Sequence, residues 1–188
     1  KGLSRINRSR VIPTYFHIIS GTGIYDLKSE SVEDLLYTKE GELWVTTIAD
    51  VSRMVSFSEK EGAKFVTLVS NPKDSTTVQT KIISTLQDNQ GTIWIGTFNG
   101  FYKMIPSNKN KFGYEAKHLL KEEDIWTMFE DKNGILWLGS NQGLIKVTRD
   151  ENNTPIDYKY FKNDPENLKS ISHNTIRAIA EDSKGNFW

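Results

Sequence analysis

The sequence predicts an all-β protein, a partial ring of about four β-propeller blades with four antiparallel strands in each blade. Two observations support this prediction: a phrase that recurs along the chain, and short apolar segments between turn signals around it. Each copy of the phrase has a glycine three residues before a tryptophan, and the tryptophans are Trp44, Trp94, Trp137 and Trp188. They are 50, 43 and 51 residues apart, a period typical of propeller blades or of paired-helix solenoids.

Each repeat begins with a predicted strand that ends in a tight turn. An apolar β-branched residue stands twelve positions before each tryptophan, namely Val32, Ile82, Ile125 and Ile176. The short segment that follows it runs into a D-x-x-G sequence in three copies, at Asp88, Asp131 and Asp182. An aspartate side chain accepts hydrogen bonds from backbone NH groups ahead of it, and glycine tolerates a positive φ, so D-x-x-G predicts a turn.

Three further strands complete each predicted blade. The tryptophan lies in the second strand, as in TIWIGT and ILWLGS, where we expect it to pack between neighbouring blades. FNG and NQG then indicate a hairpin, the third strands are residues 101–105 and 144–148, and the fourth begin near Phe112 and Ile156. A helical solenoid would need runs of about ten residues with apolar positions at helical spacing, and glycines, β-branched residues and aromatics interrupt nearly every such window.

These blades divide the whole chain, which we interpret as a single partial propeller over residues 1–188. Complete blades are expected at about 32–70, 82–120 and 125–162. The second half of a blade is expected at 1–19, with 15–19 as its last strand, and the first half of another at 175–188. Because a sheet cut in mid-blade exposes unpaired backbone groups, we expect a fragment of a longer protein with a ring of about seven blades. A ring closed by the two half-blades and an eight-bladed ring of two copies are the alternatives.

The composition excludes several classes of function. Lysine plus arginine equals aspartate plus glutamate at 24 each, so we expect no direct binding of nucleic acid. The absence of cysteine excludes thiol catalysis and cysteine-based metal sites. His17, His118 and His173 have no ligand spacing, and the D-x-x-G turns lack the further carboxylates of a calcium loop, so no metal or cofactor is expected.

The repeats resemble the two-component regulator propeller repeat. That repeat has an S-x-S-x-N-x-I lead, a D-x-x-G turn and then L-W-I-G-T-x-x-G-L. DNQGTIWIGTFNGFYKM, DKNGILWLGSNQGLIKV and SISHNTIRAIAEDSKGNFW are all similar to it. The first complete blade departs from the pattern, because Thr38 replaces the turn aspartate, Thr46 the W-x-G glycine and Asp50 the hairpin glycine. We therefore expect an altered second hairpin in that blade.

The resemblance implies a role in signalling. Proteins of this family are typically the periplasmic sensor region of hybrid two-component systems in gut Bacteroidetes such as Bacteroides. The resemblance implies two seven-bladed propellers and an immunoglobulin-like domain outside the inner membrane, followed by a membrane helix, a histidine kinase, a receiver and a DNA-binding domain. It also implies a homodimeric parent that binds oligosaccharides and regulates polysaccharide utilisation. The partners of this chain would be the ligand and the rest of the propeller and ectodomain.

One position of the repeat varies in a way that suggests a ligand site. Eleven residues before the tryptophan stand Glu33, Ile83, Trp126 and Arg177, each preceded by valine or isoleucine. We expect Trp126 to stack on a sugar ring and Arg177 to hydrogen-bond an acidic or hydroxyl group. The loop residues expected to complete the site are His173, Asn174, Phe98, Asn99, Asn141 and Gln142. Solvent exposure without a ligand, and for Asn174 a role as a loop cap, are the structural alternatives.

Three functions are compatible with these features. The first is the oligosaccharide-sensing region of a membrane-bound hybrid two-component regulator. The second is a propeller scaffold that binds other proteins, and the third is the non-catalytic part of a propeller lyase or hydrolase. The sequence has no serine nucleophile elbow, phosphate loop or zinc motif, so we expect no catalytic residue and no enzyme activity in this chain.

Overall fold

A computed structural model describes residues 4–7, 10–15, 27, 29, 31–58, 62–70, 81–109 and 113–188. These residues form one two-stranded and three four-stranded antiparallel sheets, and no helix occurs among them, so the described chain is all-β as predicted. The strands are β1 (Ser4–Asn7), β2 (Arg10–Tyr15), β3 (Val32–Tyr37), β4 (Leu43–Thr47), β5 (Asp50–Ser58), β6 (Gly62–Ser70), β7 (Ile82–Gln87), β8 (Ile93–Thr97), β9 (Gly100–Pro106), β10 (Tyr114–His118), β11 (Ile125–Glu130), β12 (Leu136–Ser140), β13 (Leu144–Arg149) and β14 (Pro155–Phe161). Of the strand expected at 15–19, residues 16–19 lie outside the described residues.

Each four-stranded sheet is a simple meander in which strands pair in chain order. The first sheet is β3 to β6, the second β7 to β10 and the third β11 to β14. Because the strands are antiparallel, the start of strand one, the hairpin between strands two and three, and the segment leading to the next sheet lie at one end. We call this the loop end. The opposite end, where strands one and two are joined, is the turn end.

The D-x-x-G segments form the turns that the sequence predicts. Asp88 Oδ1 accepts hydrogen bonds from the backbone NH groups of Gln90 at 3.0 Å and Thr92 at 2.8 Å. Asp131 and Asp182 make the same two bonds with the residues two and four positions ahead. In the turn at Asp88 the glycine, Gly91, has a φ of 83°, which glycine adopts without the strain of a side chain.

The second carboxylate oxygen of each turn aspartate binds the tryptophan of the same repeat. Trp94 Nε1 donates to Asp88 Oδ2 at 2.8 Å, and the same bond joins Trp137 to Asp131 at 2.9 Å. In the first sheet, where Thr38 replaces the aspartate, Trp44 Nε1 instead donates to Glu42 Oε2 at 3.0 Å. The turn and the tryptophan are therefore one hydrogen-bonded unit, which explains why they recur together in the sequence.

Trp44 and Trp94 pack between neighbouring sheets, as predicted, whereas Trp188 is 78% exposed. Trp44 is 1% exposed and lies in one apolar cluster with Ile82, Ile95 and Tyr102 of the second sheet. Trp94, which is fully buried, packs in the same way against Ile125 and other apolar residues of the third sheet. Burial of such large side chains is the main stabilising contribution between the sheets. The core therefore lies between blades.

The W-x-G glycine allows adjacent sheets to approach closely. A Cβ atom on Gly139 would lie 2.6 Å from Thr127 Cγ2 and 2.8 Å from the carbonyl oxygen of Ile176 in the next repeat. In the first sheet Thr46 occupies this position, and its hydroxyl lies 3.2 Å from that of Thr85 in the second sheet. The two contacts show that this position faces the neighbouring blade whether the residue is glycine or threonine.

A hydrogen bond at the turn end repeats from one blade to the next. The backbone NH after each turn residue donates to the side chain that stands just before the turn of the following repeat. Lys39 N donates to Gln87 Oε1 at 2.7 Å, and Lys132 N donates to Glu181 Oε2 at 3.0 Å. Asn89 and Glu130 form the equivalent bond between the second and third sheets.

The second hairpin of the first sheet is altered, as expected. In the other two sheets, a hydroxyl donates to the carbonyl oxygen three residues ahead, from Thr97 to Gly100 at 2.7 Å and from Ser140 to Gly143 at 3.1 Å. In the first sheet the hydroxyl of Thr47 lies 3.4 Å from the carbonyl oxygen of Asp50 and donates instead to Asp50 Oδ1, while Ser52 Oγ donates to Asp50 Oδ2 at 2.6 Å. The difference is at the third residue, because Gly100 and Gly143 have positive φ angles and Asp50 does not.

Candidate functional site

Trp126 lies in a β-bulge at the loop end of the third sheet. The pairing of β11 with β12 shifts between Ile125 and Thr127, so Trp126 is an extra residue without a partner in the ladder. The same shift occurs at Glu33 in the first sheet and at Ile83 in the second. A bulge releases a side chain from the alternation of the strand and changes its direction. This explains why the position accepts such different residues along the chain.

Four of the eight residues predicted to bind ligand come together around this bulge. The rings of Phe98 and Trp126 are 4.9 Å apart and nearly perpendicular. The guanidinium of Arg177 lies over the Trp126 ring, with its Cζ atom 3.4 Å from the centroid. Trp126 Nε1 donates to Asn141 Oδ1 at 2.6 Å. We call Phe98, Trp126, Asn141 and Arg177 the Trp126 cluster.

The Trp126 cluster joins three successive repeats and remains open to solvent. Phe98 follows strand two of the second sheet, Trp126 and Asn141 belong to the third sheet, and Arg177 lies in the repeat after it. Phe98 and Trp126 are half-buried, whereas Asn141 and Arg177 are exposed. A group that contacts the whole cluster would therefore touch adjacent blades at once.

The other four predicted residues make local contacts outside the Trp126 cluster. Asn99 accepts at its Oδ1 from Glu122 N at 2.9 Å, which ties its hairpin to the segment before β11. Gln142 is exposed, and its backbone NH donates to Ser140 Oγ. His173 Nδ1 accepts from Thr175 N at 2.9 Å, and Asn174 Oδ1 accepts from Asn163 N at 2.7 Å. Asn174 thus acts as a loop cap, the structural alternative considered for it.

Two residues of this surface were missed by the sequence analysis. Lys81 Nζ lies 5.9 Å from the centroid of the Phe98 ring, and Asp124 Oδ2 accepts a hydrogen bond from Asn141 Nδ2. Both stand thirteen residues before their tryptophan, at the position occupied by Ser31 and Thr175 in the other repeats. The variety at that position is the signal that would have pointed to them.

A buried ion pair joins the second and third sheets at the turn end. Arg149 at the end of β13 reaches back to Asp88 of the second sheet, with an N–O distance of 2.8 Å, and also pairs with Glu130 at 3.0 Å. Asn153 Nδ2 donates to the same oxygen of Asp88. Asp88 is fully buried, so this carboxylate is satisfied by partners from two blades.

Between the first and second sheets the same place is an open cleft. It has a volume of about 570 Å³ and is lined by residues that include Glu42, Arg53, Lys103 and Tyr114. Thr38 stands where Asp88 does in the next blade, and Pro106 stands where Arg149 does, so the buried ion pair is absent from this interface. Glu42 instead pairs with Arg53 of its own sheet at 2.7 Å.

The described residues contain no other obvious chemical site. No group of three or more histidine, aspartate or glutamate side chains among them is arranged to hold a metal ion. None of the described residues forms a helix of the length and hydropathy that a membrane span requires.

Meander sheets that pack face to face through repeated tryptophans define a partial β-propeller. The family called Two component regulator propeller matches residues 78–99 and 119–142, which are the repeats around Trp94 and Trp137. These two segments therefore match the two-component regulator propeller repeat that the sequence predicted. No curated protein sequence matches the chain significantly.

Solved structures share this fold. The extracellular domain of BT4673 from Bacteroides thetaiotaomicron is described as a one-component system in one solved structure and as a hybrid two-component system in another. The first superposes with a TM-score of 0.75 and 22% identity, covering 100% of this chain and 23% of that chain. The second superposes with a TM-score of 0.73 and 22% identity, covering 96% of this chain and 22% of that chain. The extracellular domain of BT3049 from the same organism superposes with a TM-score of 0.65 and 16% identity, covering 100% of this chain and 29% of that chain. Virginiamycin B lyase from Staphylococcus aureus gives 0.59 and 16%, covering 98% of this chain and 54% of the enzyme. The chain thus spans about a quarter of the two sensor structures.

Proposed function

We propose that this chain is part of the ligand-sensing ectodomain of a membrane-bound hybrid two-component protein. The match to two-component regulator propeller repeats and the fold shared with the extracellular domains of BT4673 and BT3049 support the proposal. In this setting the chain lies in the periplasm, in a homodimeric parent whose kinase is a separate domain. Its output is the regulation of polysaccharide utilisation.

The proposed ligand is an oligosaccharide, bound at the Trp126 cluster. The observation that supports this ligand is the bulged Trp126 with Arg177 over its ring and Phe98 beside it. Sugar rings have apolar CH faces and a rim of hydroxyl groups, so a site with aromatic surface and fixed hydrogen-bond donors is complementary to them. Because Arg177 covers one face of the indole, the sugar contacts the guanidinium and the remaining exposed surface of Trp126 and Phe98.

The location of the Trp126 cluster suggests how binding is converted into a signal. A ligand shifts a conformational equilibrium only when it binds one arrangement better than the other. Phe98, Trp126 and Arg177 come from three successive repeats, so a ligand that contacts all three binds best at one relative placement of the blades. Binding then favours that placement in the ring and in the domains attached to it.

Calorimetry of the intact ectodomain of the parent against a panel of glycan oligosaccharides tests the proposal. We expect saturable binding without turnover, and a Kd at least about 10-fold higher for Trp126→Ala. Tyr37→Ala is the matched control, because Tyr37 is an aromatic residue that is 72% exposed on the first sheet and lies outside the cluster. Formation of a product would indicate a lyase or hydrolase. Absence of binding to every oligosaccharide of the panel would indicate a protein-binding scaffold. Either result overturns the proposal.

A further inference from the structure

Two positively charged side chains flank the aromatic pair of the Trp126 cluster. Arg177 lies over the Trp126 ring, with Cζ 3.4 Å from its centroid, and Lys81 Nζ lies 5.9 Å from the centroid of Phe98. Both cations are exposed. A cation held over a ring by its face keeps its N–H donors available for other partners.

The donors of these two cations have no acceptor in the described part of the chain. Within those residues, neither side chain lies within 4.0 Å of a carboxylate oxygen, and neither donates a hydrogen bond. Arg149 is different, because it donates to Asp88, to Glu130 and to the carbonyl oxygen of Gly134. The guanidinium of Arg177 is therefore positioned by stacking and has an unused hydrogen-bonding edge.

The acidic residues in the segment before β11 form no ion pair with Arg177. Asp124 accepts from the amide of Asn141, and Glu123 accepts from the hydroxyl of Tyr160 at 3.1 Å. Burial, together with Glu123, raises the pKa of Tyr160 to about 12, so its hydroxyl remains a donor at neutral pH. Glu122 is exposed to water. These acids leave the edge of Arg177 unpaired.

We propose that Arg177 binds the carboxylate of a uronic acid residue, so that the ligand of the Trp126 cluster is an acidic oligosaccharide. This inference rests on the proposed function. The planar guanidinium presents two parallel N–H donors that match the two oxygens of a carboxylate, and stacking on Trp126 fixes the plane of that fork. Lys81, whose Nζ lies 5.9 Å from the Phe98 centroid, adds a second positive charge that attracts the anion.

The test compares acidic sugars with neutral counterparts of the same linkage. The probes are tetrasaccharides of galacturonate, of guluronate, and of glucuronate with N-acetylglucosamine, each paired with its carboxyl-reduced form, titrated into the intact ectodomain. We expect at least one acidic probe to bind at least about 10-fold more tightly than its reduced form, with the preference decreasing as salt is added. Arg177→Ala should remove the preference for the acidic form. Arg177→Lys should retain part of it, because lysine keeps the positive charge but cannot donate two parallel N–H bonds to one carboxylate.

Lys117→Ala is the matched control, since Lys117 is an exposed cation on β10, outside the cluster, and its loss should leave the preference unchanged. Equal binding of every acidic probe and its reduced form, or a preference that survives Arg177→Ala, overturns the assignment of the carboxylate. Sugar binding would then still support the proposed function. If no sugar in either form binds, both proposals are wrong.

Discussion

Asp88 and Arg149 form an ion pair across the gap between two sheets, at 2.8 Å, although they are 61 residues apart in the chain. The same aspartate also accepts hydrogen bonds from the indole NH of Trp94 and from two backbone NH groups of its own turn. One buried carboxylate therefore joins a turn, a core tryptophan and the neighbouring blade.

Asp88→Asn should strongly destabilise the folded state, because the amide N–H groups would face the N–H donors of Trp94, Arg149 or Asn153. The substitution removes one of the two carboxylates that pair with Arg149 and leaves Glu130, and it mispairs buried donors, so we expect a loss of about 3 kcal/mol in the free energy of unfolding. Urea unfolding measures it. Asp182→Asn is the control, because Asp182 forms the same turn at an exposed site, and its loss should be much smaller. Equal losses would show that the contacts between blades contribute little.

Gly139→Ala tests the close approach of the blades. The added methyl group would lie 2.8 Å from the carbonyl oxygen of Ile176, a backbone atom that cannot move without moving the chain segment that contains it. We expect a loss of about 2 kcal/mol in the free energy of unfolding, from steric overlap alone. Thr148→Ala, at an exposed position of the same sheet, provides the comparison. A neutral effect of Gly139→Ala would mean that the two blades separate easily.

Trp137→Phe should change how stability depends on pH. Burial raises the pKa of Asp131. Hydrogen bonds from Trp137 Nε1 and from the backbone NH groups of Ile135 and Asn133 lower this pKa by a larger amount, so it lies below the ordinary value of 3.8. Because the pKa is lower in the folded state, this carboxylate stabilises the fold above pH 3.8, and the contribution is lost as the pH falls through the folded pKa.

Removing the indole NH should therefore raise the pKa of Asp131 and reduce the loss of stability in acid. Carbon-detected NMR titration of the carboxyl groups gives the pKa directly. Unfolding at about pH 6 and about pH 3 gives the acid-dependent difference, which separates this effect from the lost packing of the smaller ring. An unchanged pKa would mean that the turn backbone alone holds the carboxylate.

The cleft between the first and second sheets should close when the missing ion pair is supplied. Thr38→Asp combined with Pro106→Arg places an acid and a base where Asp88 and Arg149 stand in the next blade. We expect the double variant to gain about 1 kcal/mol beyond the sum of the two single variants in thermal or urea unfolding. Strict additivity would contradict the equivalence of the two interfaces.

The sequence predicted the sheets well because their signals are local. The D-x-x-G turn and the tryptophan lie six residues apart in one blade, so a single repeat contains both partners of the bond between Asp131 and Trp137. The partner of Asp88 in the next blade was not predictable, since Arg149 has no counterpart in the second blade, where Pro106 stands. A pair of residues from different blades that does not recur at the repeat period gives no pattern in the sequence.

Part of the residue grouping at the candidate site was predictable for the same reason. Variation at one repeat position pointed to Trp126 and Arg177, and the structure stacks one on the other. The sequence could not show that Arg177 covers the indole face, because the contact depends on how the bulge redirects Trp126. Lys81 was overlooked because it stands one further position outside the apolar segment.

The bulge also has a consequence for engineering. Its residue takes no part in the ladder, so replacing it leaves the strand register unchanged, and this chain already tolerates an acid at Glu33 and an aliphatic side chain at Ile83 there. Randomising Glu33, Ile83 and Trp126 together should yield libraries in which most members still fold. Such repeats would then be starting material for binding reagents whose specificity is chosen independently of their stability.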